Sequence, residues 1–309
     1  MEGVVLLGPQ RFTPTLRSVL DRFRLEGPFA LITAGWQERE EEDRELSEHL
    51  AGRTINLALY TRAEEVFARD PELAQGYRER QEALKLLQEA YRIRLNHLQA
   101  ALRELISRAQ GSSLFLPARE SALEQIRELD REHLSWVAAV HRRFESQWKV
   151  RQRPSVARHR TQLSRILANS SAVLVAGGHV AVLLNRIRLF GLERIMQRRP
   201  VVAWSGGAMV VSSRVVLFHH SPPQGYGNTE VLENGLGLAR GIVPLPHAER
   251  RLALDDPRRI AHLARRFAPD LCITLEDGAY LVSREGRWVG QSPCRVLRPD
   301  GSLAEVEAA

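Results

Sequence analysis

Ser205 stands where a folding argument alone would not put a polar residue. In "RRPVVAWSGGAMVVSS", residues 198 to 213, two valines read as the end of a buried strand. Ala203, Trp204, Ser205, Gly206 and Gly207 follow, and a second apolar segment resumes at Ala208. Small residues two before and two after the serine, Ala203 and Gly207, suit a sharp strand-to-helix turn, where the backbone crosses itself closely. Such an elbow displays a nucleophile and leaves the N–H of Gly206 at a helix N-terminus, free to face an oxyanion. The same spacing also suits a plain helix cap, for which serine is favoured. The motif by itself leaves nucleophile and cap open.

Nucleophilic chemistry at a serine needs a base to take its proton and a carboxylate to orient that base. His247 in "GIVPLPHAERR" and Glu276 in "LCITLEDGAYLV" each follow an apolar run that reads as a strand, so both are expected just past strand ends. Gly177 and Gly178 in "VLVAGGHVAVLL" end another such run. They supply either a second backbone donor for an oxyanion or a tight turn. His219 and His220 follow "VVLF" directly and, if still extended, point to opposite faces, which disfavours a metal pair.

The elements that must position these residues read as an α/β fold. Short apolar runs at Val4 to Leu7, Phe29 to Thr33, Ile55 to Leu59, Ala172 to Ala176 and Val201 to Trp204 have the character of buried parallel strands separated by amphipathic helices. Runs at Val215 to Phe218, Gly241 to Val243, Cys272 to Leu275 and Ala279 to Val282 are expected to extend that sheet. The expected architecture is a doubly wound, mostly parallel sheet, with its ligand site beyond the carboxyl ends of the strands. Between its halves the pattern changes. Leu84, Leu87, Tyr91, Leu95, Leu98, Leu102 and Leu105 form one helical stripe. After "QGSSLFLP" at 110 to 117, a second runs through Leu123, Ile126, Leu129, His133, Val137, Val140, Phe144 and Trp148. Two stripes joined by a short loop predict an antiparallel helical hairpin. His133 reads as a packed histidine rather than a ligand, and Pro154 suits the first turn of a further helix running to about Leu167. The expected division is an α/β core, 1–71 and 166–309, with a hairpin insertion at 72–165.

Composition narrows the function classes. The 309 residues and 44% apolar content support a sizeable core. No run of 18 uncharged apolar residues appears, and "MEGVVLLGPQ" lacks the pattern of a signal peptide, so the expectation is a cytoplasmic protein without membrane contact. Cys272 and Cys294 lack CxxC spacing and stand away from the elbow, which weakens disulfide, zinc and thiol-nucleophile readings. The chain carries a formal +7, and residues 72–165 alone hold 18 basic and 11 acidic side chains. Because that section mixes both signs, it reads as a dimerisation arm or a lid rather than a phosphate-binding face, and a nucleic-acid partner is not expected. No metal or other cofactor is implied.

Together "AGGHVAVLLNRIRLFGL", "WSGGAMV", "GLGLARGIVPLPHAERRL" and "TLEDGAYLV" resemble the peptidase E (aspartyl dipeptidase) and cyanophycinase family on the class I glutamine amidotransferase-like fold. The likeness covers 166–285 well and 1–60 loosely. It implies a serine peptidase acting on short peptide or isopeptide (aspartyl-type) amides, with Ser205 as nucleophile, His247 as base and Glu276 as orienting acid. Gly178 and Gly206 match the oxyanion donors. Arg251, four positions past the histidine, and His179 after the paired glycines are candidates for substrate binding. The family elbow reads close to W-S-A-G-A, so Gly206 replaces an alanine and is expected to loosen the turn. Leu245, between Pro244 and Pro246, replaces an acid found in cyanophycinase-like members. The hairpin has no counterpart in the usual family pattern. A second reading, from a different class, is an inactive scaffold that binds another protein through the hairpin. Either way a homodimer, formed through 72–165, is the expected assembly.

Overall fold

The computed structural model describes residues 3–109, 112–218, 227–284, 286–291 and 293–307, so His219 and His220 lie outside the described residues. The chain opens with β1 (Val4–Leu7), α1 (Leu16–Arg22), β2 (Phe29–Ile32), α2 (Arg44–His49), β3 (Thr54–Asn56) and α3 (Leu59–Arg69). Two long helices follow, α4 (Pro71–Ala109) and α5 (Leu116–Trp148), then α6 (Pro154–Ala168). The α/β pattern resumes with β4 (Ala172–Val175), α7 (Val180–Leu189), α8 (Glu193–Met196), β5 (Val201–Trp204) and α9 (Gly206–Val211). Next come β6 (Arg214–Leu217), β7 (Glu230–Asn234), β8 (Ile242–Pro246), α10 (Ala248–Arg251) and α11 (Pro257–Phe267). The last strands are β9 (Leu271–Leu275), β10 (Tyr280–Arg284), β11 (Arg287–Gln291), β12 (Arg295–Leu297) and β13 (Leu303–Glu305).

Among the described residues, seven strands make the central sheet in the order β11-β10-β1-β5-β4-β2-β3. The five strands from β1 to β3 in that order are parallel neighbours, and β10 and β11 close one edge antiparallel. Successive residues of a strand point to opposite faces, and here each face meets its own apolar layer. Val5, Leu7, Phe29, Leu31, Leu174 and Val202 pack with α1, whereas Leu6, Ala30, Ile32, Val173, Val175 and Ala203 pack with α6, α7 and the long helices. Both faces are covered, which is why these strands read as unbroken apolar runs.

Of the four later runs expected to extend this sheet, Ala279 to Val282 does so, as part of β10. The others do not: β6 and β7 form a separate ribbon, and β8 and β9 lie parallel in a second sheet of order β13-β12-β9-β8. The physical reason lies in Pro244 and Pro246. Without N–H groups they cannot pair on two sides, so β8 is held to the edge of a sheet.

α4 and α5 are 39 and 33 residues long and form the inserted antiparallel pair. They do not stand off the core. Tyr91, Leu95, Leu102, Leu123, Ile126 and Leu129 are buried in the same apolar cluster as the main sheet. His133 is 1% exposed, stacks on Tyr91 with ring centroids 4.3 Å apart, and bonds through Nε2 to the Leu232 carbonyl at 3.0 Å. Burial lowers its pKa, as fits a packed histidine. Pro154 occupies the first turn of α6, as its missing N–H allows.

Candidate active site

The carboxyl ends of β1, β2, β4 and β5 meet around Ser205. The residue has φ 51° and ψ −125°, a conformation costly for anything but glycine, and α9 begins immediately after it. Its side chain makes no capping bond to α9, so of the two readings of this serine the helix cap does not hold. Close backbone approach explains the small neighbours. A Cβ on Gly207 would lie 2.3 Å from the Val175 carbonyl oxygen, and one on Gly177 would lie 2.8 Å from the Ser205 Cβ. Gly206 is not a loosened alanine position: a Cβ there would sit 2.9 Å from the Gly178 carbonyl oxygen and 3.0 Å from Val180 Cγ1. The glycine therefore lets the Gly177–Gly178 turn close on the elbow. Gly178 itself has φ 109° and is pressed against the Gly35 backbone. Among the described residues, neither the Gly178 nor the Gly206 N–H donates to a backbone carbonyl, and Gly178 is solvent-exposed.

The second sheet delivers the other two groups. Pro246 and Leu275 are register partners at the ends of β8 and β9, so His247 and Glu276 emerge side by side, with the His247 N–H bonded to the Leu275 carbonyl at 3.2 Å. His247 takes a left-handed conformation, φ 58° and ψ 37°, and α10 starts after it. Glu276 Oε1 accepts the N–H of Glu249 at 3.0 Å, so one oxygen of this carboxylate holds the first turn of α10. Among the described residues, neither ring nitrogen of His247 is hydrogen-bonded or ion-paired to a carboxylate. Burial holds the His247 pKa below its ordinary value, Arg251 and Arg250 add to that, and the charge of Asp277 opposes it. Burial also raises Glu276, against the N–H groups that stabilise its charged form.

Ser205, His247, Glu276 and Gly178 line one cleft of about 1330 Å³. Gly206 underlies it as a buried residue. Neither substrate-binding candidate lines the cleft. His179 Nδ1 accepts the Val182 N–H at 3.3 Å and so caps α7, and the cleft arginine of α10 is Arg250 rather than Arg251. Leu245 is 1% exposed and faces the apolar core. Sequence reasoning missed Gln10, Phe12, Trp36, Arg39 and Asp277, which also line the cleft. A Gly-Pro pair after β1 and a second acid beside Glu276 were the available signals. Gln10 Oε1 accepts the Thr15 and Leu16 N–H groups, both at 2.8 Å, fixing the loop that forms one wall. The stretch that carries Trp36 and Arg39 is anchored by Glu40, whose carboxylate accepts the Tyr60 and Thr61 N–H groups at 2.9 Å. Both cysteines are buried and unpaired, and burial pushes their thiols up to about 12. Among the described residues, no helix is long and apolar enough to cross a membrane.

A serine held in a strained conformation at a strand-to-helix elbow, on a cleft that a histidine also lines, has the form of a nucleophile elbow. The sequence profile of Peptidase family S51 matches residues 89–289, and the chain belongs to that family of serine peptidases. Among solved structures, the chain is similar to a peptidase from an acI-B1 actinobacterium, at 13% identity and a TM-score of 0.46, covering 100% of this chain and 96% of that one. It is also similar to a protein described as peptidase E from Listeria monocytogenes EGD-e, at 13% identity and a TM-score of 0.31, covering 42% of this chain and 64% of that one. No curated protein matches the sequence.

Proposed function

We propose that the protein is a cytoplasmic serine peptidase that cleaves short peptide or isopeptide amides of the aspartyl type implied by the family resemblance. Ser205 Oγ attacks the scissile carbonyl carbon while its proton passes to His247. The carbonyl oxygen becomes an oxyanion facing the N–H groups of Gly178 and Gly206. His247 then returns the proton to the leaving amine, and water repeats the cycle on the acyl-enzyme. Glu276 orients His247 through the turn that carries both His247 and Glu249. The observation that carries this reading is the strained, uncapped Ser205 on a cleft it shares with His247. The test is labelling by a fluorophosphonate together with turnover of a mixed peptide library read by mass spectrometry. Ser205→Ala is expected to abolish both and leave the fold intact, and library turnover unchanged in that variant refutes the proposal.

The chain is further proposed to pair with a second copy through the 72–165 insertion on its 1–71 and 166–309 core. Leu86 and Ile93, two turns apart on α4, are 66% and 56% exposed, and Trp136 on α5 is 41% exposed. Ile93→Asp should halve the mass measured by light scattering. A single mass for both proteins, whether monomer or dimer, removes the proposal.

A further inference from the structure

The Gly177–Gly178 turn is held from two sides. Ser205 and Gly206 stand on one, and the 3-10 turn Ala34–Arg39, between β2 and α2, stands on the other. Contact on that second side is backbone against backbone. A Cβ on Gly178 would lie 2.3 Å from the Gly35 carbonyl oxygen, and one on Gly35 would lie 2.5 Å from the Gly177 carbonyl oxygen. The Gly35 carbonyl also accepts the His179 N–H at 2.7 Å, one residue past the proposed oxyanion donor. The place of Gly35 therefore sets the place of the Gly178 N–H.

Glu40 in turn fixes Gly35. The 3-10 turn carries strain of its own: Gln37 has φ 59° and ψ −125°, a backbone that persists in a residue other than glycine only where the surroundings over-determine it. The two ends of the turn are tied together, because the Thr33 hydroxyl donates to the Glu40 carbonyl at 2.9 Å. Asn56 Nδ2 donates to the same carbonyl at 3.0 Å, which pins the closed turn to the end of β3. The Glu40 side chain then ties it to α3. Ala58 precedes that helix in a left-handed conformation and offers no capping group. The orphan N–H groups of Tyr60 and Thr61 instead donate to one Glu40 carboxylate oxygen each, both at 2.9 Å. Glu40 is 1% exposed and does not line the cleft. Taking a carboxylate out of water is costly, and the Ser205 chemistry gives this one no direct part.

Building on the proposed Ser205 chemistry, we infer that Glu40 is a positioning residue for the Gly178 oxyanion donor, acting through the Gly35 backbone. It touches no substrate and moves no proton. Its carboxylate holds the Ala34–Arg39 turn against α3, the turn presses Gly35 on Gly178, and the Gly178 N–H stays aimed where the oxyanion forms. Stabilisation of this kind depends on donors fixed before the reaction, so slack in the turn weakens the transition state. Trp36 and Arg39 line the cleft from the same turn, so a small phosphonate that needs little of the cleft reports on Gly178 more directly than a peptide does.

The experiment compares Glu40→Gln and Glu40→Ala with the parent and with Asp130→Ala, which removes a buried carboxylate bonded to Arg266 of α11 instead. One readout is the NMR cross-peak of the Gly178 N–H in glycine-labelled protein, which requires no substrate. The other is the rate at which a fluorophosphonate labels Ser205, well below the melting temperature of each variant. Glu40→Ala removes both acceptors and is expected to shift the Gly178 cross-peak and slow labelling about tenfold to a hundredfold. Glu40→Gln keeps one acceptor oxygen and is expected to restore part of that loss, with labelling about threefold to tenfold below the parent. Asp130→Ala is expected to lose stability yet keep the parent's Gly178 cross-peak and labelling rate. An unmoved Gly178 cross-peak in the Glu40 variants, labelling at the parent's rate, or equal slowing in Asp130→Ala each overturns the inference. Should Glu40→Ala fail to fold, Glu40→Gln decides by the same criteria. If Ser205 labels in no protein, the parent included, the peptidase reading fails, while the Gly178 cross-peak still decides whether Glu40 sets the turn.

Discussion

Gly206→Ala puts the elbow argument to a direct test, because it installs the residue that the resembling family carries at a site where this backbone has no room. The added Cβ would lie 2.9 Å from the Gly178 carbonyl oxygen and 3.0 Å from Val180 Cγ1, against ordinary carbon contacts of about 3.5 Å or more. Val180 opens α7 and is stiff at χ1, so relief must come from the Gly178 turn moving back by about 0.5 Å. A 1 Å misplacement of a catalytic group costs about a hundredfold in rate, so half of that predicts roughly a tenfold loss. Losing the Gly178 donor outright would cost about a hundredfold to a thousandfold, which sets the upper bound. Alanine favours helix over glycine by at most about 1 kcal/mol, which works against the steric cost. The melting temperature should therefore stay within a few degrees. The assay is the second-order rate of fluorophosphonate labelling, beside a thermal melt of the same preparation. Labelling as fast as in the parent refutes the claim that Gly206 sets the approach of the Gly178 turn.

Ser205→Gly removes the side chain from a φ of 51° and should abolish labelling while raising stability by about 1 kcal/mol in a urea titration. An unchanged midpoint would mean that the elbow stores no strain. The pH dependence of kcat/KM follows from His247. Its folded pKa is lowered, mainly by burial, so the neutral base persists below the ordinary histidine range and is lost only as pH falls through that lowered value. The acid limb should lie below pH 6.5, and an apparent pKa above about 7 would contradict the burial argument.

How far the residues disclosed this site depended on whether local or distant contacts positioned them. Ser205 was legible because the elbow's demand for small neighbours is written within five residues. His247 and Glu276 were legible as strand ends, yet which sheet carried them was not. That depends on Pro244 and Pro246 forcing β8 to an edge, and pairing partners are not encoded locally. Arg251 and Arg250 show the limit of counting. One residue of spacing decides which arginine lines the cleft, and α10 is a single turn of helix whose orientation is set by the Glu276 carboxylate. Trp36 left no motif because it reaches the cleft from a 3-10 turn tied down by hydrogen bonds distant in sequence, those of Glu40 with Tyr60 and Thr61.

The stripe pattern identified the helical pair, but not how it is tied to the core. Mixed surface charges say nothing about the inner face, where Arg266 of α11 is 2% exposed. Its guanidinium donates to both oxygens of Asp130, at 2.8 and 2.7 Å, to the Tyr91 hydroxyl at 2.9 Å, and to the Thr229 carbonyl at 2.7 Å. Tyr91 in turn donates to Asp130 at 2.8 Å and accepts the Val231 N–H at 3.0 Å. Two of these side chains belong to the insertion and one to the core, so deletion of 72–165 would strip the Arg266 guanidinium of its carboxylate and hydroxyl partners, leaving it the Thr229 carbonyl, and would take the hydroxyl acceptor from the Val231 N–H. Removing one member of such a buried pair costs about 3–5 kcal/mol. Asp130→Ala is therefore expected to lower the urea midpoint of the whole chain in a single transition. The competing outcome is two transitions, with the hairpin melting first and Ser205 still reactive, and it would mean that the insertion is an independent unit after all.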